Sequence, residues 1–213
     1  MKKATKKEIA EIQQLFVQKY QNAETELQYK NAYELVVAVA LSAQCTDKRV
    51  NILTPPLFAK YPSPQELAKA DLEDVKALIN SCSFFNNKAK NIIAMAQRVV
   101  AVYNGEIPLD EKELQTLAGV GQKTANVVMI EYTGANLMAV DTHVFRVAHR
   151  LGLSDDKTAL ATEATLVKKF QNNLHALHQG MVLFGRYTCK AKNPLCEECF
   201  LSKFCKSKES FKV

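Results

Sequence analysis

Apolar residues recur along this chain every three or four positions, the spacing that gathers them on one face of an α-helix. Ile9, Ile12, Phe16 and Tyr20 form the first such stripe. Ala32 to Ser42 is almost entirely apolar, which predicts a helix buried on all sides. Asp47 through Lys60 has helical spacing but carries Pro55 and Pro56, which predict a kink or a restart. Pro62-Ser63-Pro64 and Asp71 mark two further helix starts. Asn87 to Tyr103 reads as a long amphipathic helix stopped by Asn104-Gly105. Strand-like alternation is nearly absent, and Leu137-Met138-Ala139-Val140 is too short to change the class. The fold class expected is all-α, with about ten helices joined by short loops and no internal repeat. The final 25 residues break the pattern. They are rich in Cys, Lys and Pro, bury little, and need a cross-link to hold a shape.

The chain has 213 residues, 47% of them hydrophobic, which suffices for one large or two small domains and excludes long-range disorder. No apolar run reaches the roughly 20 residues of a membrane helix. The charged start, Met1 to Glu8, is followed by no signal-like stretch. A soluble, cytoplasmic protein with no membrane partner is the expectation. The net charge of +6 suits a polyanionic partner without demanding one. Cys45 and Cys82 stand alone, whereas four cysteines fall between 189 and 205. In a reducing compartment such a cluster reads first as a metal site.

The run Leu117-Ala118-Gly119-Val120-Gly121-Gln122-Lys123-Thr124-Ala125-Asn126 is the first sharp chemical signal. It predicts a short helix stopping at Gly119 and a new one starting after Gly121. Two glycines around one apolar residue let the backbone turn tightly and approach another molecule. Val120 should plug the turn onto the core. Unpaired N–H groups at the start of the second helix can cradle a phosphate, aided by the helix dipole. An ordinary helix–turn–helix corner is the plainer reading. A nucleotide P-loop does not fit, because Gln122 separates Gly121 from Lys123 and no strand precedes. Lys123 falls in the first turn, where the dipole and partial burial would favour the neutral amine a nucleophile requires. A surface lysine contacting phosphate is the alternative.

Asp141 precedes a helix whose apolar positions are Val144, Val147, Ala148 and Leu151. Capping alone explains an Asp there. A carboxylate fixed at a cap is also rigidly aimed, and can take up a proton or stabilise a developing cation. His143 lies close enough to line the same pocket or to be structural. His175 and His178 share a helix face, but no third ligand candidate accompanies them.

Cys189, Cys196, Cys199 and Cys205 have the spacing C-x6-C-x2-C-x5-C. Four thiolates so close in sequence can surround one metal centre, and both zinc and an iron–sulfur cluster suit the ligand type. Lys190, Lys192, Lys203 and Lys206 surround the cluster and are candidate phosphate contacts.

Taken together, these features resemble the endonuclease III family of the helix-hairpin-helix DNA glycosylase superfamily. The likeness runs from about Ala32 to Lys206. It rests on Leu-Ser-Ala-Gln at 41–44, Gly-Val-Gly-Gln-Lys-Thr-Ala-Asn-Val-Val at 119–128, Ala-Val-Asp-Thr-His-Val-Phe-Arg-Val at 139–147, and Gly-Arg-Tyr-Thr-Cys at 185–189. The resemblance implies a [4Fe-4S] cluster on the four cysteines. It implies two helical domains with a groove between them: a six-helix domain at 24–135 holding the hairpin at about 113–132, and a cluster domain formed by 1–23 with 136–213. It implies a monomer acting on double-stranded DNA that contains oxidised pyrimidines or abasic sites. Lys123 and Asp141 would be the catalytic pair, acting through a lysine Schiff base and β-elimination 3′ to the lesion.

The same resemblance casts Gln44 as a filler of the gap left by the flipped base, and Phe84 as a second wedge where the family often has Leu. Gly119, Gly121, Lys190 and Lys192 would contact DNA, and Ser42 and His143 would line the pocket. Ala118 departs from the family, which usually has Pro there. An adenine-mismatch glycosylase fits less well, since such enzymes usually lack the lysine and carry a further domain. A pyrimidine-dimer glycosylase shares the lysine and remains a rival. So does a non-catalytic iron–sulfur DNA-binding protein.

Overall fold

Among the described residues, 3–211 of the computed structural model, regular structure is entirely helical. The chain separates into two compact units, one of residues 25–133 and one that combines the segment up to Glu24 with the segment from Gly134 onwards.

The 25–133 unit holds α2 (Ala32–Ser42), α3 (Asp47–Lys60), α4 (Pro64–Leu67), α5 (Leu72–Ile79), α6 (Phe85–Tyr103), α7 (Glu111–Leu114) and α8 (Gln122–Thr133). Helix α2 is its centre. Leu35, Val36, Val37, Ala38 and Leu41 are wholly buried, as the unbroken apolar run requires. Asn31 caps it by accepting from the Glu34 N–H at 2.9 Å. The expected starts at Ser63 and Asp71 are the N-caps of α4 and α5.

Helix α3 runs continuously from Asp47 to Lys60 through Pro55 and Pro56, so of the expected kink or restart there is no restart. Both prolines are exposed, so the carbonyls they leave unpaired can turn to water, while Leu53 and Leu57 on the opposite side bury. Helix α6 starts two residues earlier than the sequence suggested, because Phe84 in left-handed backbone (φ +58°) takes the cap position. Asn104 (φ +52°) and Gly105 (φ +84°) end it as expected.

The other unit holds α1 (Lys6–Tyr20), α9 (Thr142–Arg150), α10 (Ala159–Phe170) and α11 (Leu174–Tyr187). Beyond α11 come only the short 3-10 turns Ser202–Phe204 and Lys208–Phe211. Ile12 and Phe16 of α1 lie in one core with Val144, Val147, Leu177 and Phe184. The Phe16 and Phe184 rings meet edge-on, centroids 5.6 Å apart. Helices α9 and α11 approach so closely at Gly185 that a Cβ there would lie 2.8 Å from the His143 Cβ. No described helix is long and apolar enough to cross a membrane.

Candidate active site and iron–sulfur centre

The hairpin lies within the 25–133 unit. Helix α7 ends at Leu114, earlier than expected, and turns carry the chain from there to Gly119. Gly119 has φ +78°, and a Cβ on it would meet the Asn91 side chain of α6 at 3.0 Å, so both torsion and space require glycine. Val120 is buried at 5% exposure and anchors the turn in the core. At Gly121 the space a Cβ would take is open, which leaves the backbone approachable from outside. The Gly121 carbonyl accepts from the Ala125 N–H at 2.9 Å, so α8 begins directly after it. The half-buried Ala118 fits the turn without a proline.

Lys123 is the second residue of α8 and is exposed, so the partial burial expected from sequence is not present. It makes no hydrogen bond or ion pair among the described residues. Two other sequence-chosen residues of this unit are exposed on left-handed backbone: Gln44 between α2 and α3, and Phe84 before α6. Helix α6 joins the features, with Phe84 at its start and Asn91 against Gly119. Ser42 closes α2, its hydroxyl donating to the Val39 carbonyl at 2.9 Å.

In the other unit, Asp141 is the N-cap of α9. Its Oδ1 accepts from the His143 and Val144 N–H groups, each at 2.8 Å. Its Oδ2 has no hydrogen-bond partner among the described residues. One oxygen is therefore spent on holding the carboxylate still while the other remains able to accept a proton. Arg146 Nη2 reaches His143 Nδ1 at 3.1 Å, and a guanidinium can only donate, so Nδ1 is the acceptor and a neutral His143 carries its proton on Nε2.

Arg146 also ties α9 to the cysteine segment, donating to the carbonyls of Gly185 at 2.7 Å and Cys189 at 3.0 Å. Arg150 donates to the Cys189 sulfur at 3.3 Å and to the Lys190 carbonyl at 2.7 Å. Desolvation of this partly buried guanidinium, then Arg150 beside it, lower the affinity of Arg146 for its proton. Sequence reasoning passed over both arginines, because a helical Arg gives no sign of the carbonyls it will meet after folding.

Cys189, Cys196, Cys199 and Cys205 line one cavity with Arg150, Thr188, Pro194 and Leu195. Burial, followed by the charges of the other cysteines, pushes the Cys199 and Cys205 thiols up. Thiols held back from ionising in this way fit a cationic centre that neutralises them. Among the described residues no three His, Cys, Asp or Glu side chains are grouped to hold a single metal ion.

The flanking lysines divide. Lys190 and Lys192 are exposed and form no ion pair among the described residues. Lys203 instead pairs with Glu11 at 3.1 Å, and Lys206 with Glu8 at 2.5 Å. These two lysines dock the cysteine segment on α1, which displaces the phosphate role expected of them.

Glu8 accepts from Lys206 and also completes a capping box with Thr5, donors that hold its carboxyl at about 2. Its folded value lies below the ordinary 4.5, so its contribution is complete above that pH and is lost as pH falls towards 2. Glu8→Gln keeps the capping geometry but not the charge. Its thermal midpoint is expected to fall modestly below that of the parent near neutral pH, and the gap to close between pH 4.5 and 2. A gap that stays constant across that window contradicts the pairing.

Residues 37–172 match the model of the HhH-GPD superfamily base excision DNA repair proteins, the class that fold and hairpin define. Residues 189–205 match the iron–sulfur binding domain of endonuclease III. Endonuclease III of Bacillus subtilis (strain 168) is 46% identical over 189 residues, 88% of this chain and 86% of that one. The Escherichia coli (strain K12) endonuclease III is 38% identical, over 89% and 90% of the two chains. A structure of a trapped endonuclease III–DNA covalent intermediate superposes with a TM-score of 0.92 at 41% identity, covering 97% of this chain and 98% of that one. The chain belongs to the endonuclease III family. Its work is base excision DNA repair, and its cofactor is a [4Fe-4S] cluster.

Proposed function

We propose that this DNA glycosylase and abasic-site lyase removes oxidised pyrimidines from duplex DNA with Lys123 as its nucleophile. The observation that carries the reading is the exposed Lys123 in the first turn of α8, directly after a glycine hairpin whose backbone is open to a ligand. N–H groups of that turn are suited to a DNA phosphate. A base stacked inside a duplex shields its sugar carbon, so the nucleotide must be extruded first.

Lys123 Nζ then gives up a proton and attacks C1′, and the base leaves with the glycosidic electron pair and takes up a proton. Loss of a proton from the new C1′ amine and departure of the ring oxygen give an imine. The imine acidifies C2′; a proton leaves there, and the 3′ phosphate departs with the C3′–O electron pair. Water hydrolyses the imine and restores the lysine. Asp141, with Oδ2 available, serves as proton acceptor and as counter-charge to the cationic sugar. Gln44 and Phe84 fill the space the extruded nucleotide leaves, and Ser42 and His143 border the base.

Cys189, Cys196, Cys199 and Cys205 would hold the cluster, which fixes the shape of the segment carrying Lys190 and Lys192. Replacing both lysines by Ala is expected to weaken binding to all DNA sequences alike and to reduce the slope of log affinity against log salt by about 0.9 per lost contact. An unchanged slope removes them from the interface.

The reading is tested by a panel of duplexes carrying thymine glycol, a pyrimidine dimer or an adenine mismatch, each incubated with borohydride. A covalent adduct is expected on thymine glycol. An adduct confined to the dimer duplex would establish the dimer-glycosylase alternative, and none on any duplex would remove the lysine Schiff base from the reaction.

A further inference from the structure

Gln44 (φ +54°) and Phe84 (φ +58°) are exposed residues on backbone that disfavours any side chain. Such conformations persist only where the surroundings hold them. Lys88 reaches both. It lies on the first turn of α6 and is only 8% exposed. Its own N–H donates to the Phe84 carbonyl at 3.1 Å. Its ammonium donates to the carbonyls of Leu41 at 2.8 Å and Ala43 at 2.5 Å, and to the Cys82 sulfur at 3.2 Å.

An ammonium has three protons, and these three acceptors satisfy it inside the protein. Leu41 and Ala43 stand at the C-terminal end of α2, where carbonyls lack helical partners and a cation is favoured. Ala43 is the residue immediately before Gln44. The Cys82 thiol donates to the Leu41 carbonyl at 3.3 Å and closes the network. One buried side chain thus fastens the turn that presents Gln44 to the turn that presents Phe84.

We propose that Lys88 is a positioning residue for lesion recognition: it fixes the Gln44 and Phe84 tips to one another, so that both enter the gap beside an extruded nucleotide as one rigid element. The proposal rests on the reading of Gln44 and Phe84 as gap-filling side chains. A lysine needed only for folding would have no selective effect on damaged DNA. A positioning lysine acts on the difference between damaged and intact duplex, since only the former has a gap to fill.

The test uses the full-length, cluster-loaded protein and two duplexes, one with a tetrahydrofuran abasic-site analogue and one intact. The readout is the ratio of the two affinities. Lys88→Met keeps the aliphatic stem and loses the donors, and is expected to lower the ratio about tenfold while intact-duplex binding holds. Lys88→Arg keeps donors and is expected to retain most of the ratio; a loss equal to that of Lys88→Met overturns the proposal. With Gln44→Ala and Phe84→Ala already in place, adding Lys88→Met is expected to change the ratio no further. A full further loss there marks Lys88 as a general structural residue and overturns the proposal.

If Gln44→Ala with Phe84→Ala leaves the ratio untouched, the gap-filling reading itself fails. If that pair lowers it and Lys88→Met does not, only the role of Lys88 fails. Should Lys88→Met not fold, judged by circular dichroism and iron content, Lys88→Gln offers two amide N–H donors on a shorter side chain and is expected to lower the ratio partially. An unchanged ratio in Lys88→Gln then overturns the proposal.

Discussion

Lys123→Gln is expected to form no covalent adduct with thymine-glycol duplex in the presence of borohydride, and to lose base removal and strand cleavage by a factor on the order of 10⁴ to 10⁶. Glutamine approximates the length of lysine but offers no amine, so neither attack at C1′ nor the imine is open to it. Lys123 is exposed and has no partner among the described residues, so its replacement should leave stability within about 0.5 kcal/mol. Activity and thermal midpoint should therefore separate cleanly: the first collapses and the second stays. Adduct yield equal to that of the parent would sink the assignment of the nucleophile. A joint fall in midpoint and activity would mean that Lys123 supports the hairpin instead.

The second large effect is expected at the cluster. Among the described residues from Cys189 onwards the only helical structure is two 3-10 turns, and between 189 and 210 the buried side chains are Leu201 and Phe204. Hydrogen bonds from Arg146 and Arg150 and ion pairs from Lys203 and Lys206 help to hold this segment. Exposed ion pairs contribute about 1 kcal/mol or less each. Structural metal centres contribute on the order of 10 kcal/mol at neutral pH. Cys199→Ser should accordingly give colourless protein without the four irons, cut readily by proteases between 189 and 207, and with weakened DNA binding. The parent should be yellow-brown and resistant. Colourless Cys199→Ser that resists proteolysis would show that the side-chain contacts suffice without the cluster.

Periodicity made much of the fold legible. The almost entirely apolar run of Ala32–Ser42 reads as a buried helix, and Gly119 announced a turn because no other residue tolerates φ +78° beside Asn91. No restart follows Pro55 and Pro56 in α3, since the effect of a proline depends on which side of the helix faces water, and that is set by tertiary packing. Cys189, Cys196, Cys199 and Cys205 were visible because their ligand spacing is local, and Asp141 because a cap is local. Lys88 was not visible. In sequence it is one basic residue among Asn87, Ala89 and Lys90, indistinguishable from a solvated helix face. Its acceptors Leu41 and Ala43 lie more than forty positions away. Lys203 and Lys206 misled likewise, because Glu11 and Glu8 stand near the opposite end of the chain.

The interleaving of the two units sets an order for synthesis. Helix α1 leaves the ribosome first, yet the partners of Ile12 and Phe16 are on helices that follow residue 134. Residues 25–133 intervene, and translation at 5–20 residues per second takes roughly 6–20 s to add them. During that interval the hairpin unit can complete its own core while α1 waits with an uncovered apolar stripe. The cysteines emerge after α11, so iron loading coincides with the closing of the unit that carries them. A nascent chain stalled before residue 189 would carry Lys123 on a finished hairpin but lack the segment that Glu8 and Glu11 anchor.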